Sequence, residues 1–329
     1  MNVLRSLRAE SVSRTKKARV PCARTKAMHA PSIKHFDTPG GNADFVYGTA
    51  WKKDHTKELV KEALAAGFRR IDTAAQPKHY REELVGEALR EAISEGTVKR
   101  EQIHVQTKFT SPAGQLRDNM PYDPDARLND QISLSVSSSL HNLRPSGENI
   151  SHLAYVDSLL LHSPLRTMEE TLQAWTRLES FVPDQARQIG ISNVNLPMLK
   201  EIYKNAQIKP SVVQNRFYAE TGYDVPLRAF CREHKIEYQS FWTLTGNPQL
   251  LGAKPVVSLA RAAEIGRPVA LYALVMDLGI IVLNGTSSKE HMREDLYGMQ
   301  VVSKWTEKNE KEWKEIRAGF RAIVGDDVE

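Results

Sequence analysis

Asp72, Lys108 and His162 carry three side chains able to hold or move a proton. Each stands where an apolar, extended run ends: residues 68–72, 103–108 and 155–162. Stretches with helical spacing lie between the runs, as in residues 56–66, where Leu59, Val60, Ala63 and Leu64 share one face before Gly67. Strand and helix in alternation predict a parallel sheet with helices outside. If the sheet closes into a barrel, its active site sits at the carboxyl ends of the strands. The three groups then meet at one mouth, and Tyr80, just after Asp72, can join them. A carboxylate, an ammonium, an imidazole and a phenol gathered there are the parts of a proton-transfer site.

The elements that must position these groups can be followed along the chain. The pattern predicts strands at 44–51, 68–72, 103–108, 155–162, 187–191, 211–214, 236–241 and 279–283. Helices are predicted at 56–66, 81–95, 128–143, 168–181, 197–205, 225–234, 255–265 and 268–278, with a short one starting near Ser288. Ser287 and Glu290 have the spacing of a capping box. Residues 110–126 break the rhythm with Ser-Pro, Met-Pro and Asp-Pro turns, and a loop this long after a strand's carboxyl end is expected to overhang the mouth. Eight strand–helix units with no large gap predict one (β/α)₈ TIM barrel, an α/β fold in a single domain.

Composition narrows the function classes. The chain has 329 residues, 41% of them hydrophobic, and a formal net charge of +5. Residues 1–36 hold nine Lys or Arg against one acid, Glu10, so this stretch carries +8 and the rest −3. Residues 1–36 are therefore assigned to a basic leader, disordered or targeting, and 37–329 to the barrel. The barrel has no basic cluster suited to nucleic acid, and no apolar run reaches the roughly 18 residues of a membrane span. Cys22 and Cys231 are the only cysteines, which excludes a disulfide framework and a cysteine metal site. A reducing, cytoplasmic location is expected, with a mitochondrial one as the alternative if the Arg- and Ser-rich leader is a transit peptide. The sequence carries no signal for an oligomeric state.

Several motifs, in this order and each at a predicted strand end, resemble the aldo-keto reductases over residues 44–300. They are Gly67-Phe-Arg-Arg-Ile-Asp72-Thr-Ala, Glu83-Leu-Val-Gly-Glu-Ala-Leu89, Thr107-Lys108-Phe, Asp157-Ser-Leu-Leu-Leu-His162-Ser-Pro and Gly190-Ile-Ser-Asn193. The resemblance implies a nicotinamide-dependent (β/α)₈ barrel that reduces carbonyls without a Rossmann domain. The absence of a Gly-x-Gly-x-x-Gly after any predicted strand agrees with this. It further implies that Tyr80 is the general acid, that Lys108 lowers its pKa, that Asp72 orients Lys108, and that His162 holds the substrate oxygen. Tyr80 lies eight residues after Asp72 where the family has five, so Gln76-Pro-Lys-His79 reads as a loop expansion that leaves His79 as a rival acid.

The same resemblance assigns a cofactor site. Ser192, Asn193 and Gln214 match residues that hold the nicotinamide carboxamide, and Phe241 falls where an aromatic stacks on the nicotinamide ring. Gly285 and His291 replace the Lys and Arg that grip the 2′-phosphate, leaving Thr286, Ser287, Ser288 and a helix N-terminus for an anion, with Asp295 completing the set. NADPH is the expected cofactor and NADH the alternative; the expected partner is a small-molecule aldehyde or ketone. Trp51, Phe109, Tyr122 and Trp242 are candidates to line its pocket. Two other functions stay open: a Schiff-base aldolase using Lys108, and a non-catalytic barrel that binds cofactor as a regulatory subunit.

Overall fold

Eight short extended runs, mixing apolar with polar residues, form the strands: β1 (Phe45–Gly48), β2 (Arg70–Asp72), β3 (His104–Phe109), β4 (Val156–Leu161), β5 (Ala186–Ser192), β6 (Val212–Arg216), β7 (Glu237–Phe241) and β8 (Ile281–Asn284). In the computed structural model, which describes residues 45–146 and 154–326, they close into one parallel barrel in chain order. β8 returns to β1 through Phe45↔Val282, Val46↔Leu283 and Tyr47↔Asn284. The helices are α1 (Thr56–Ala66), α2 (Glu82–Ser94), α3 (Leu128–Asn142), α4 (Met168–Glu179), α5 (Leu196–Asn205), α6 (Val225–Glu233), α7 (Lys254–Ala262), α8 (Arg267–Met276), α9 (Lys289–Lys308) and α10 (Glu310–Val324). The apolar stripes read from the sequence are the buried faces: Leu59, Val60, Ala63 and Leu64 on α1; Val85, Ala88, Leu89 and Ala92 on α2. The expected leader at 1–36 lies outside the described residues.

The C-terminal end departs from expectation. The short helix after Ser288 is a 20-residue α9, and α10 follows it. Ser288 is the N-cap of α9, its Oγ accepting from the His291 N–H, so the capping residue is Ser288 rather than Ser287. α10 buries only Ile316, Phe320 and Val324, a stripe with a four-residue period set among charged residues. Beyond it Asp326 is fully buried and accepts from Arg228 Nη1 at 2.7 Å, tying the end of the described chain to α6.

Inside the barrel, polar side chains replace the branched apolar layers usual for this architecture. Arg70 pairs with Glu237 across the barrel. Glu237 accepts from Gln239 Nε2 at 2.7 Å, and Gln239 and Gln106 exchange two amide hydrogen bonds of 2.8 and 3.0 Å. Gln106 Nε2 then donates to Asp72 Oδ1 at 2.7 Å. A continuous polar column thus runs from the amino ends of the strands to the mouth. Every buried amide in it has a partner, which removes the penalty such groups would otherwise carry.

Candidate active site

The column ends in an ion pair. Lys108 Nζ donates to Asp72 Oδ1 and Oδ2 at 2.7 Å each and to the Thr73 carbonyl at 2.9 Å. Asp72 Oδ1 also accepts from Gln214 Nε2 at 3.0 Å. Asp72 is 2% exposed and Lys108 1%. Burial pulls the Lys108 pKa down, and the Asp72 carboxylate opposes that pull. Removing either partner would strand the other in a dry interior.

Tyr80 and His162 lie beside this pair. Lys108 Nζ is 5.3 Å from the Tyr80 ring centroid, and the Tyr80 and His162 rings meet edge to face at 6.0 Å. All four residues implied by the sequence are therefore brought together. The contact between Lys108 and Tyr80 is cation–π: all three ammonium hydrogens go to Asp72 and Thr73, not to the phenol. Burial, with the Asp72 charge second, pushes the Tyr80 pKa up. The longer loop has folded into a turn in which the Gln76 carbonyl accepts from both His79 N and Tyr80 N at 3.0 Å. Gln76 Nε2 and Gln115 Nε2 brace that loop through the Gly114 and Ala75 carbonyls. His79 stacks against Trp51, ring centroids 3.8 Å apart, and burial lowers its pKa.

Among the described residues the His162 ring has one hydrogen-bond partner, Thr110. Its Nδ1 lies 2.6 Å from Thr110 Oγ1. Burial first, then the Lys108 and His79 charges, push its pKa down to about 3, so the ring is neutral near pH 7. A Thr110 hydroxyl donating to Nδ1 would put the ring proton on Nε2 and make that atom a donor.

The residues assigned to the cofactor divide into two groups. Asn193 is exposed, its Nδ2 donating to the His162 carbonyl at 2.9 Å and to Ser192 Oγ at 3.1 Å; Ser192 Oγ donates to the Gln214 carbonyl. Phe241 is half-exposed at the end of β7. Gly285 and Ser287 are exposed and Thr286 and Ser288 half-buried in the loop leading into α9, and His291 is exposed in the first turn of α9. Gln214 and Asp295, by contrast, face inward. Gln214 spends its amide hydrogens on Asp72 and Gln239. Asp295 is 5% exposed and accepts from Asn284 Nδ2 at 2.7 Å, bracing the end of β8. Of the four aromatic pocket candidates, Trp51 and Trp242 are exposed at the mouth. Phe109 and Tyr122 are core residues packed on each other, with the Tyr122 hydroxyl donating to the Thr110 carbonyl.

Four contributors were missed from sequence: Thr110, Gln106, Gln239 and Lys52. Lys52 is 7% exposed; its Nζ donates to the Gly285 carbonyl, to the Thr286 carbonyl at 3.2 Å and to Ser287 Oγ at 3.1 Å. Burial pulls its pKa down to about 8. An ammonium from the loop after β1 therefore stands where the β8 loop has none of its own. A Lys directly after Trp51, at a predicted strand end, was the available signal. The backbone is also unusual around the mouth. Trp51, Asn193 and Trp242 all have positive φ (65°, 54° and 60°), and each follows a strand's carboxyl end. Asn adopts this region readily, but each of the two tryptophans held there costs about 1–3 kcal/mol, and such strain gathers at functional sites. Among the described residues no group of three or more His, Cys, Asp or Glu could hold a metal ion. No helix among them is long and apolar enough to cross a membrane.

A family model described as the aldo/keto reductase family matches residues 40–252. Among curated proteins, an uncharacterized oxidoreductase of Schizosaccharomyces pombe is 28% identical over 242 residues, covering 72% of this chain and 75% of that protein. Dihydrodiol dehydrogenase 3 of Bos taurus is 29% identical over 275 residues, covering 74% and 78%. A crystal structure of a Bombyx mori aldo-keto reductase in complex with NADP superposes with a TM-score of 0.63 at 22% identity, over 84% of this chain and 93% of that one.

Proposed function

The chain belongs to the aldo/keto reductase family of oxidoreductases, and on that premise we propose that it reduces aldehyde or ketone carbonyls to alcohols with NADPH, Tyr80 giving the proton. The observation that carries this reading is the meeting of Tyr80, His162 and the Lys108–Asp72 pair at one barrel mouth. When bound, the reduced dinucleotide supplies a hydride to the carbonyl carbon. Neutral His162 donates from Nε2 to the carbonyl oxygen, holding it beside Tyr80. As negative charge builds on that oxygen, Tyr80 Oη passes its proton to it. The Lys108 ammonium, 5.3 Å from the ring, stabilises the phenolate left behind, and Asp72 keeps that ammonium charged and fixed.

The side chains suit a dinucleotide. Asn193 Oδ1 and Gln214 Oε1 offer two acceptors to the N–H groups of a carboxamide, and the half-exposed Phe241 ring offers a stacking face. Lys52 lies at the Gly285–Ser287 loop with no carboxylate among its partners, which favours a phosphate there and hence NADPH over NADH. The Bombyx mori relative solved with NADP is in keeping with this choice. Against an aldolase stands the state of Lys108: its side chain is 0% exposed and its three hydrogens are committed. A Schiff base needs a neutral, reachable amine. The test is NADPH oxidation across a panel of aldehydes and ketones. Turnover with at least one class is expected, slower with NADH. Dinucleotide binding without turnover on any carbonyl would favour a regulatory barrel and overturn the proposal.

A further inference from the structure

Arg216 is the last residue of β6 and pairs in register with Phe241 at the end of β7. Side chains alternate along a strand, so Arg216 shares a direction with Gln214, two residues back, while Asn215 between them points outward to Val194 and Asp224. Gln214 is bonded to Asp72 inside the barrel. Arg216 therefore stands one layer above the polar column, at the mouth.

Its surroundings are aromatic. The guanidinium carbon lies 4.7 Å from the Trp242 ring centroid and 5.5 Å from that of Phe241, and the two rings meet at 81°. They form a corner that holds the cation by cation–π attraction and packs its stem. Arg216 Nε is buried with no hydrogen-bond partner. Among the described residues, Arg70 meets Glu237, Arg100 meets Asp157 and Arg228 meets Asp326, while the half-buried Arg69 and Arg90 donate to backbone carbonyls; Arg216 has neither kind of partner. No carboxylate among the described residues lies within ion-pair distance of Arg216. A guanidinium steadied by rings, with its in-plane donors left over, is suited to a planar, two-point grip on an oxyanion.

We propose that Arg216, held in the corner of Phe241 and Trp242, is the oxyanion-binding residue of this mouth, taking either the diphosphate of the dinucleotide or a carboxylate on the carbonyl substrate. This rests on the reductase reading above, and its test separates the two. Arg216→Met keeps the stem between the rings and removes the charge; Arg216→Lys keeps the charge and removes the fork. Affinity for NADPH and NADH is measured by titration, and kcat/KM is compared for benzaldehyde and 4-carboxybenzaldehyde.

If the diphosphate is the ligand, Arg216→Met weakens both dinucleotides about tenfold or more, the size of one charge-assisted hydrogen bond, and Arg216→Lys recovers part of the loss. If a substrate carboxylate is the ligand, dinucleotide affinity holds and the kcat/KM ratio of carboxylated to neutral aldehyde falls about tenfold. A folded Arg216→Met protein that matches wild type in both measurements overturns the inference and leaves the reductase reading standing. If wild type reduces no carbonyl, that reading has failed and the dinucleotide titration alone decides; a wild type that binds no dinucleotide overturns both.

Discussion

His162 is the residue whose protonation state ties structure to chemistry most tightly. Its ordinary pKa is about 6.5, and in the fold it is pushed down to about 3. As pH falls through about 6.5 the unfolded chain takes up a proton that the folded chain refuses until about 3. The unfolded state binds more protons in that window, so this group's contribution to stability is present above it and lost as pH falls through it. His162→Gln should therefore flatten the fall of Tm across that window relative to wild type; an unchanged slope would contradict the assignment. Thr110 Oγ1, 2.6 Å from Nδ1, is placed to fix the tautomer by donating to it. Thr110→Val should lower kcat/KM about tenfold with cofactor affinity retained, because the ring then loses its preference for a proton on Nε2; equal kcat/KM would mean that the tautomer is set elsewhere. The four central residues were legible because each is an ionisable or phenolic group at or just after an apolar run's end. Thr110 was not, since a threonine two residues past Lys108 looks like any loop residue, and its role exists only through the neighbouring strand.

At the scale of elements, the loops after β1 and β8 meet at one lysine. Lys52 crosses from the first to the second. Lys52→Met should weaken NADPH by about 1.5–3 kcal/mol, and NADH by less, as one charged donor is lost. His291→Ala, at an exposed side chain in the first turn of α9, should cost NADPH less than Lys52→Met does. Equal losses for the two cofactors would show that neither residue reads the phosphate. Gly86 lies where α2 meets α3: a Cβ there would stand 1.8 Å from the Asn142 carbonyl oxygen. Gly86→Ala should destabilise by the upper part of about 1–3 kcal/mol, read from chemical denaturation; a smaller loss would mean that α3 shifts freely. Helices α1 to α8 could be read within a few residues because their stripes repeat cleanly, as at Leu59, Val60, Ala63 and Leu64. α10 could not, because Ile316, Phe320 and Val324 form too thin a stripe among its charges.

For the molecule as a whole, the barrel does two jobs with one column of polar side chains. From Arg70 and Glu237 through Gln239 and Gln106 to Asp72, it fills an interior that apolar layers usually fill, and it fixes the one carboxylate that Lys108 needs. The strand order was readable from the alternation of elements. The column was not: glutamines on β3, β6 and β7 are ordinary strand residues until closure brings them together. In the proposed function this scaffold serves a proton transfer from Tyr80. Its most direct test is Tyr80→Phe, with carbonyl turnover and NADPH affinity measured side by side. Turnover should fall about 10²–10⁴-fold, the worth of general acid catalysis, while the affinity for NADPH stays near that of wild type. A variant that keeps most of its kcat would contradict that transfer and move the proton to His79.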